Sequence, residues 1–273
     1  RGMLERWMQL GRKTPIHRSA HARGIMRFAL LVMLGSLGLA GCDVAHDDGG
    51  GETTADAGAP SLVWVLVHPS DAPLGPGLYL FDEDRQVVVR RLPVPDISSP
   101  HALAWDGESL WLGGADLDDP AVVQIDPLDG RELSRWPGVW TEGIAFDGTD
   151  FWYGPMEPQD RLIRRVDHSG SVLASFTLAD GDVVQDMVSA NGALYYLVND
   201  DEDRIVRVDT ESGSTVEVAR GVHQAPYSLG FDGTYLAVAV DGRILRFDTD
   251  SGALVRDDPF AVLGWITAIA FVR

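Results

Sequence analysis

Residues 102–107 read Ala102-Leu-Ala-Trp-Asp-Gly107. The phrase returns as Gly143-Ile-Ala-Phe-Asp-Gly148, Met187-Val-Ser-Ala-Asn-Gly192 and Ser228-Leu-Gly-Phe-Asp-Gly233. A partial copy, Ala268-Ile-Ala-Phe-Val-Arg273, stands at the end of the chain. The period is near 41 residues. A period of that length marks repeated supersecondary units, and a strand-rich unit of this size reads as one blade of a β-propeller.

A second phrase counts the units independently. Asp126-Pro-Leu-Asp-Gly130, Asp167-His-Ser-Gly170, Asp209-Thr-Glu-Ser-Gly213 and Asp248-Thr-Asp-Ser-Gly252 share an Asp followed shortly by a Gly. Phe81-Asp-Glu-Asp-Arg85 is a degenerate copy without the Gly. Asp82, Asp126, Asp167, Asp209 and Asp248 are 44, 41, 42 and 39 residues apart. Asp and Ser bond to the local backbone and Gly accepts positive φ, so these read as hairpin turns.

Runs rich in Val, Ile, Leu and aromatics between such turns carry the strand signature. In the second unit they predict strands at 101–105, 109–112, 121–125 and 132–136. The first unit supplies only three, at 61–67, 77–81 and 87–92, while 267–272 supplies one more at the far end. Joined, the two make one complete blade and leave no open sheet edge along the channel. The expected fold is therefore all-β: a five-bladed propeller of four-stranded blades over 61–273, closed by the C-terminal strand. Trp111, Trp152, Tyr196 and Ala237 form one repeated row, and Leu110, Phe151, Tyr195 and Leu236 form another. Neighbours in a strand point to opposite faces, so one row is expected to pack between blades.

The chain ahead of the repeats has a different character. Met26-Arg27 opens a short basic region, 28–39 is apolar but short for a bilayer span, and Leu39-Ala-Gly-Cys42 follows. This resembles the lipobox of bacterial lipoproteins. The resemblance implies a signal peptide over 26–41, cleavage before Cys42 and a diacylglycerol on its sulfur. Residues 1–25, rich in Arg, are expected to be an untranslated or disordered extension. Residues 42–60 hold little apolar mass and several glycines, as a flexible tether does. The expected location is the cell envelope, on its periplasmic or outer-surface side, with the lipid as membrane anchor.

Residues 1–41 hold seven basic residues and one acidic residue, so 15 basic and 40 acidic residues remain from Cys42 onward, a formal charge of −25. Such a charge repels nucleic acid, which is excluded as a partner. The single cysteine rules out an internal disulfide framework.

Loops leading into the innermost strands of a propeller gather at one end of its channel. His101, Glu142, Asp186, Tyr227 and Thr267 immediately precede the five copies of the first phrase. They are the expected ligand-binding ring, with Ser99, Thr141, Gln185, Gln224 and Trp265 just upstream. His101, Glu142 and Asp186 suit a divalent cation, Ca²⁺ among them, and two carboxylates suit acid–base work. Phosphate-loop, nucleophile-elbow, paired-cysteine and dinucleotide motifs are absent from the sequence.

The pattern Asp-Gly-x-x-Leu-Trp, then Val-x-x-Ile-Asp-Pro-x-x-Gly, resembles the propeller repeats of NHL-type and quinoprotein-like families over most of 61–273. Trp140-Thr-Glu-Gly-Ile-Ala-Phe146 also resembles a segment of the five-bladed glutaminyl cyclotransferases and the Glu-Gly opening of gluconolactonase-like calcium propellers. The first likeness implies Glu142 as an acid–base residue, the second as a metal ligand. The expected function is a monomeric, non-enzymatic binding or scaffolding module for a small molecule, peptide or envelope protein. The alternative is a metal-dependent hydrolase or lactonase, or a cyclotransferase, using Glu142.

Overall fold

The computed structural model describes residues 61–67, 75–97, 99–114, 119–155, 160–198, 202–222, 228–240, 242–260 and 266–272. The extension, signal peptide, Cys42 and tether lie outside them. Among the described residues no helix is long and apolar enough to cross a membrane.

The described residues form five four-stranded antiparallel sheets. Blade 2 runs β4 (Pro100–Trp105), β5 (Leu110–Gly114), β6 (Ala121–Ile125) and β7 (Glu132–Pro137) from the axis outward. Blade 3 is β8 (Thr141–Phe146), β9 (Phe151–Pro155), β10 (Leu162–Val166) and β11 (Val172–Thr177). Blade 4 is β12 (Val184–Ala190), β13 (Ala193–Val198), β14 (Arg204–Val208) and β15 (Thr215–Arg220). Blade 5 is β16 (Ser228–Phe231), β17 (Tyr235–Val240), β18 (Arg243–Asp248) and β19 (Leu254–Pro259). Blade 1 joins the chain's ends: β20 (Ile266–Phe271) is innermost, followed by β1 (Leu62–Val67), β2 (Gly77–Asp82) and β3 (Val87–Leu92). The inner strands meet in the cyclic order β20, β4, β8, β12, β16. The five-bladed propeller expected from the repeats is what forms, with the C-terminal strand closing it.

The hairpin phrases act as read. The main-chain N–H groups of Gly130, Gly170, Gly213 and Gly252 donate to the carbonyls of Asp126, Asp167, Asp209 and Asp248. All four glycines have positive φ. In the degenerate copy Gln86, at φ 54°, takes that left-handed place without glycine's freedom. Asp82 is nevertheless held, accepting from the Arg85 N–H and guanidinium.

Each sheet is sandwiched by its neighbours, and this corrects the expected side-chain rows. Both rows pack between blades, on opposite faces. Leu110 joins the cluster against blade 1, while Trp111 joins the one against blade 3. In blade 4 the rows exchange: Tyr196 faces blade 3 and Tyr195 faces blade 5. The cause is a one-residue offset. Leu103 pairs with Leu112 and Ile144 with Tyr153, but it is Met187 that pairs with Tyr196. Asn191-Gly192 forms the centre of its hairpin, whereas Asp106-Gly107 and Asp147-Gly148 begin theirs one residue earlier. A slip of one residue turns every side chain to the other face.

The inner hairpins share a clamp. Asp106 accepts from the Trp111 indole at 2.7 Å and Asp147 from the Trp152 indole at 2.8 Å. Blade 5 has Ala237 where those tryptophans stand. Arg246, opposite Ala237 on β18, fills the space and donates to Asp232 at 2.7 Å. The same guanidinium reaches Asp258 and, across the ring closure, Glu83 of blade 1. Its side chain is only 5 % exposed. Removing one partner of a buried ion cluster strands the others, at a cost of about 3–5 kcal/mol. Arg246→Ala is expected to lose that much in a urea unfolding curve. An unchanged midpoint would show that the cluster does not hold blades 5 and 1 together.

Candidate functional site

The axial end where the inner strands begin is shaped by β-bulges. Pro100 pairs with Gly114 and Ala102 with Gly113, which leaves His101 as the extra residue. The same shift isolates Glu142 in β8, Gln185 in β12 and Thr267 in β20. A bulge bends its strand and re-aims one side chain. Four of the five blades therefore present a bulged residue at the same level, as the register of those four strands records.

Of the ring expected from the sequence, His101, Glu142 and Thr267 hold bulge positions. Asp186 does not, because of the one-residue offset in blade 4; Gln185 holds that place. Tyr227, Gln224 and Trp265 lie outside the described residues. Thr267 is buried, with its hydroxyl 3.4 Å from Leu66 O, and serves the wall rather than the opening. Thr141 is likewise buried, its hydroxyl 2.6 Å from Gly154 O and 2.7 Å from Gly143 O.

His101 and Glu142 come together. The imidazole Nδ1 is 3.9 Å from Glu142 Oε2, a contact longer than a hydrogen bond. Glu142 Oε2 is buried and has no hydrogen-bond partner among the described residues. The Trp140 indole nitrogen, two positions earlier on the same segment, is buried and likewise has no hydrogen-bond partner among the described residues. Burial pushes the Glu142 carboxyl up to about 7. A buried carboxyl held near neutrality can take or give a proton at ordinary pH.

Asp186 stands where the equivalent residues of the other inner strands are Ala102, Gly143, Ser228 and Ala268. Its Oδ2 accepts from the Leu229 N–H of blade 5 at 2.7 Å and its Oδ1 from the Met187 N–H at 2.8 Å. Full burial raises its carboxyl well above the usual range against the pull of those two amides, and the Glu142 charge adds to the rise. Both its oxygens are engaged with the backbone. Among the described residues no three His, Cys, Asp or Glu side chains converge as a metal-holding group. The trio His101, Glu142 and Asp186, expected as cation ligands for Ca²⁺, is thus not assembled as one.

No protein-family model matches the chain, and no curated protein sequence does. Solved structures share its architecture. One in a nidogen/laminin complex is 12 % identical, covering 79 % of this chain and 99 % of its own, with a TM-score of 0.52. A protein of unknown function from Bacteroides caccae is 12 % identical, covering 79 % and 100 %, at 0.50. Myxococcus xanthus glutaminyl cyclase is 10 % identical, covering 67 % and 75 %, also at 0.50. At such identities the likeness establishes the fold alone.

The raised Glu142 carboxyl has a consequence for stability. A carboxyl whose folded value exceeds its unfolded value contributes most below the unfolded value, and that contribution is lost as pH rises through the folded one. The unfolding free energy should therefore fall between about pH 4.5 and 7, by an amount on the order of 3 kcal/mol from Glu142. Glu142→Gln should remove that part of the slope in urea unfolding curves taken across the range. An identical slope in the variant would show that Glu142 titrates normally.

Proposed function

We propose that this chain is a lipid-anchored binding propeller of the cell envelope, tethered through Cys42, which takes an amide-bearing small molecule or peptide at the bulged mouth of its channel. The observation that carries the reading is the buried Glu142 Oε2 without a hydrogen-bond partner among the described residues. Leaving such an atom unsatisfied costs about 1–3 kcal/mol. A ligand that supplies the missing bond recovers that cost. A carboxyl near half-protonation accepts in one form and donates in the other. An amide, with its N–H and C=O, complements both. His101 beside it offers a second polar contact.

The anchor reading is supported by Leu39-Ala-Gly-Cys42 after the apolar stretch 28–39. Expressed from Met26 in a bacterium that processes lipoproteins, the wild type is expected in the membrane fraction and Cys42→Ser outside it. Equal partition of the two would remove the lipid anchor.

A second reading is favoured by Thr141-Glu142-Gly143 and by the shared architecture with a glutaminyl cyclase. In it the free amine of an N-terminal glutamine attacks its own side-chain carboxamide carbon. The new C–N bond forms, the old one breaks and ammonia leaves. Glu142 takes the proton from the attacking amine and returns it to the departing one.

One peptide with a free N-terminal glutamine tests both, added to residues 59–273. Binding raises the thermal midpoint by mass action, and Glu142→Ala should abolish the rise. Release of ammonia, lost in Glu142→Gln, would establish the cyclising activity. An intact peptide with a raised midpoint supports binding alone. No rise with this or other peptide amides would overturn the amide assignment.

A further inference from the structure

The opposite end of the channel, where the inner strands finish, holds a cavity of about 320 Å³. All five inner strands contribute to its wall. Trp105 pairs with Leu110, Phe146 with Phe151, Ser189 with Leu194, Phe231 with Leu236 and Phe271 with Val63. Those five residues are structural equivalents, and every one of them lines the cavity. Four blades thus carry an aromatic residue at one level of the channel, half-buried at Trp105 and Phe146 and packed between blades at Phe231 and Phe271, and blade 4 carries a serine there.

Charge at this end is already engaged. Asp106 Oδ1 accepts from the N–H groups of Glu108 and Ser109, and its Oδ2 from the Trp111 indole. Asp147 repeats the arrangement with Thr149, Asp150 and the Trp152 indole. The Asn191 amide lies 3.4 Å from the Thr249 hydroxyl. The acidic protein therefore presents a concave site bordered by the half-buried Trp105 and Phe146, whose nearest carboxylates, Asp106 and Asp147, accept hydrogen bonds from their own turns. Aromatic faces and edges favour offset or edge contacts with another ring. A volume near the lower bound of small-molecule pockets, about 300 Å³, suits a compact ligand of two or three rings.

We propose that this cavity binds an uncharged, ring-shaped small molecule, packed against Trp105 and Phe146 with its polar edge at Ser189. The site is separate from the bulged mouth and does not depend on Glu142.

The probe is N-phenyl-1-naphthylamine, which is uncharged and fluoresces when it leaves water, titrated into the chain from residue 42 onward carrying Cys42→Ser. The expected result is saturable enhancement at one probe per chain, with quenching of tryptophan emission. Ser189→Phe completes the aromatic level with the side chain that three sister blades carry there in an equivalent strand, so the fold should accept it. It should weaken binding at least tenfold by filling the cavity. Trp105→Ala should weaken binding too, and Glu142→Gln should leave it unchanged. Circular dichroism checks that each variant is folded. The proposal falls if the wild type shows no saturable binding. It also falls if both Ser189→Phe and Trp105→Ala bind as the wild type does, or if Glu142→Gln abolishes binding.

Discussion

Crowding at the axis governs the rest of this structure. The inner strands β8 and β12 approach so closely that a Cβ on Gly143 would lie 2.8 Å from the Asp186 backbone, and one on Gly113 of the neighbouring β5 would lie 2.6 Å from Thr141 Cγ2. Real Cβ atoms do not come so near backbone, so the inward-packed places of the inner strands take Ala102, Gly143, Ser228 and Ala268. The Glu142-Gly143 pair follows from this. The glycine lets β8 press onto β12, and that pressing buries the carboxyl next to it. The properties of Glu142 thus come from sheet packing as much as from its own chemistry.

Asp186 is the exception to the small-residue rule, and its hydrogen bonds explain why it is tolerated. An inner strand has a partner on one side only, which leaves some main-chain N–H groups facing the neighbouring blade. The Asp186 carboxylate satisfies one of these at Leu229 and another at Met187. It behaves as a side-chain substitute for a missing strand. Arg246 plays a comparable part farther out, replacing an indole donor and reaching across the closure to Glu83. In both cases a charged group sits where the repeat otherwise has an apolar or small residue, and local partners absorb the charge.

Much of the fold was legible in the sequence. The turn residues and the recurrence of Asp-Gly placed nearly every strand of blade 2 within two residues of its observed ends. The pairing of the first and last strands followed from counting. Asn191-Gly192 was misleading because it resembles Asp-Gly while occupying the middle of the hairpin rather than its start. That single offset put Asp186 in the expected ring and Gln185, which holds the bulge, one place upstream of it. Counting from the hairpin centre would have found it. The bulges themselves leave no trace in composition, since His, Glu, Gln and Thr share nothing but their register. The aromatic level at the far end was visible as Trp105, Phe146, Phe231 and Phe271, but its convergence needs the ring to be closed.

That closure also sets an order in time. β1 lies between β2 and β20 in one sheet, and the Val272 N–H donates to the Leu62 carbonyl from 210 positions along the chain, so the pairing is among the most distant in the chain. Blade 1 cannot be completed until residues 266–271 have been synthesised. Until then β1, nearly all apolar, has a bare edge. Contacts this remote form slowly, and bare apolar edges attract other chains. The joint that makes the finished ring secure is also the step at which the unfinished protein is most exposed to misassembly.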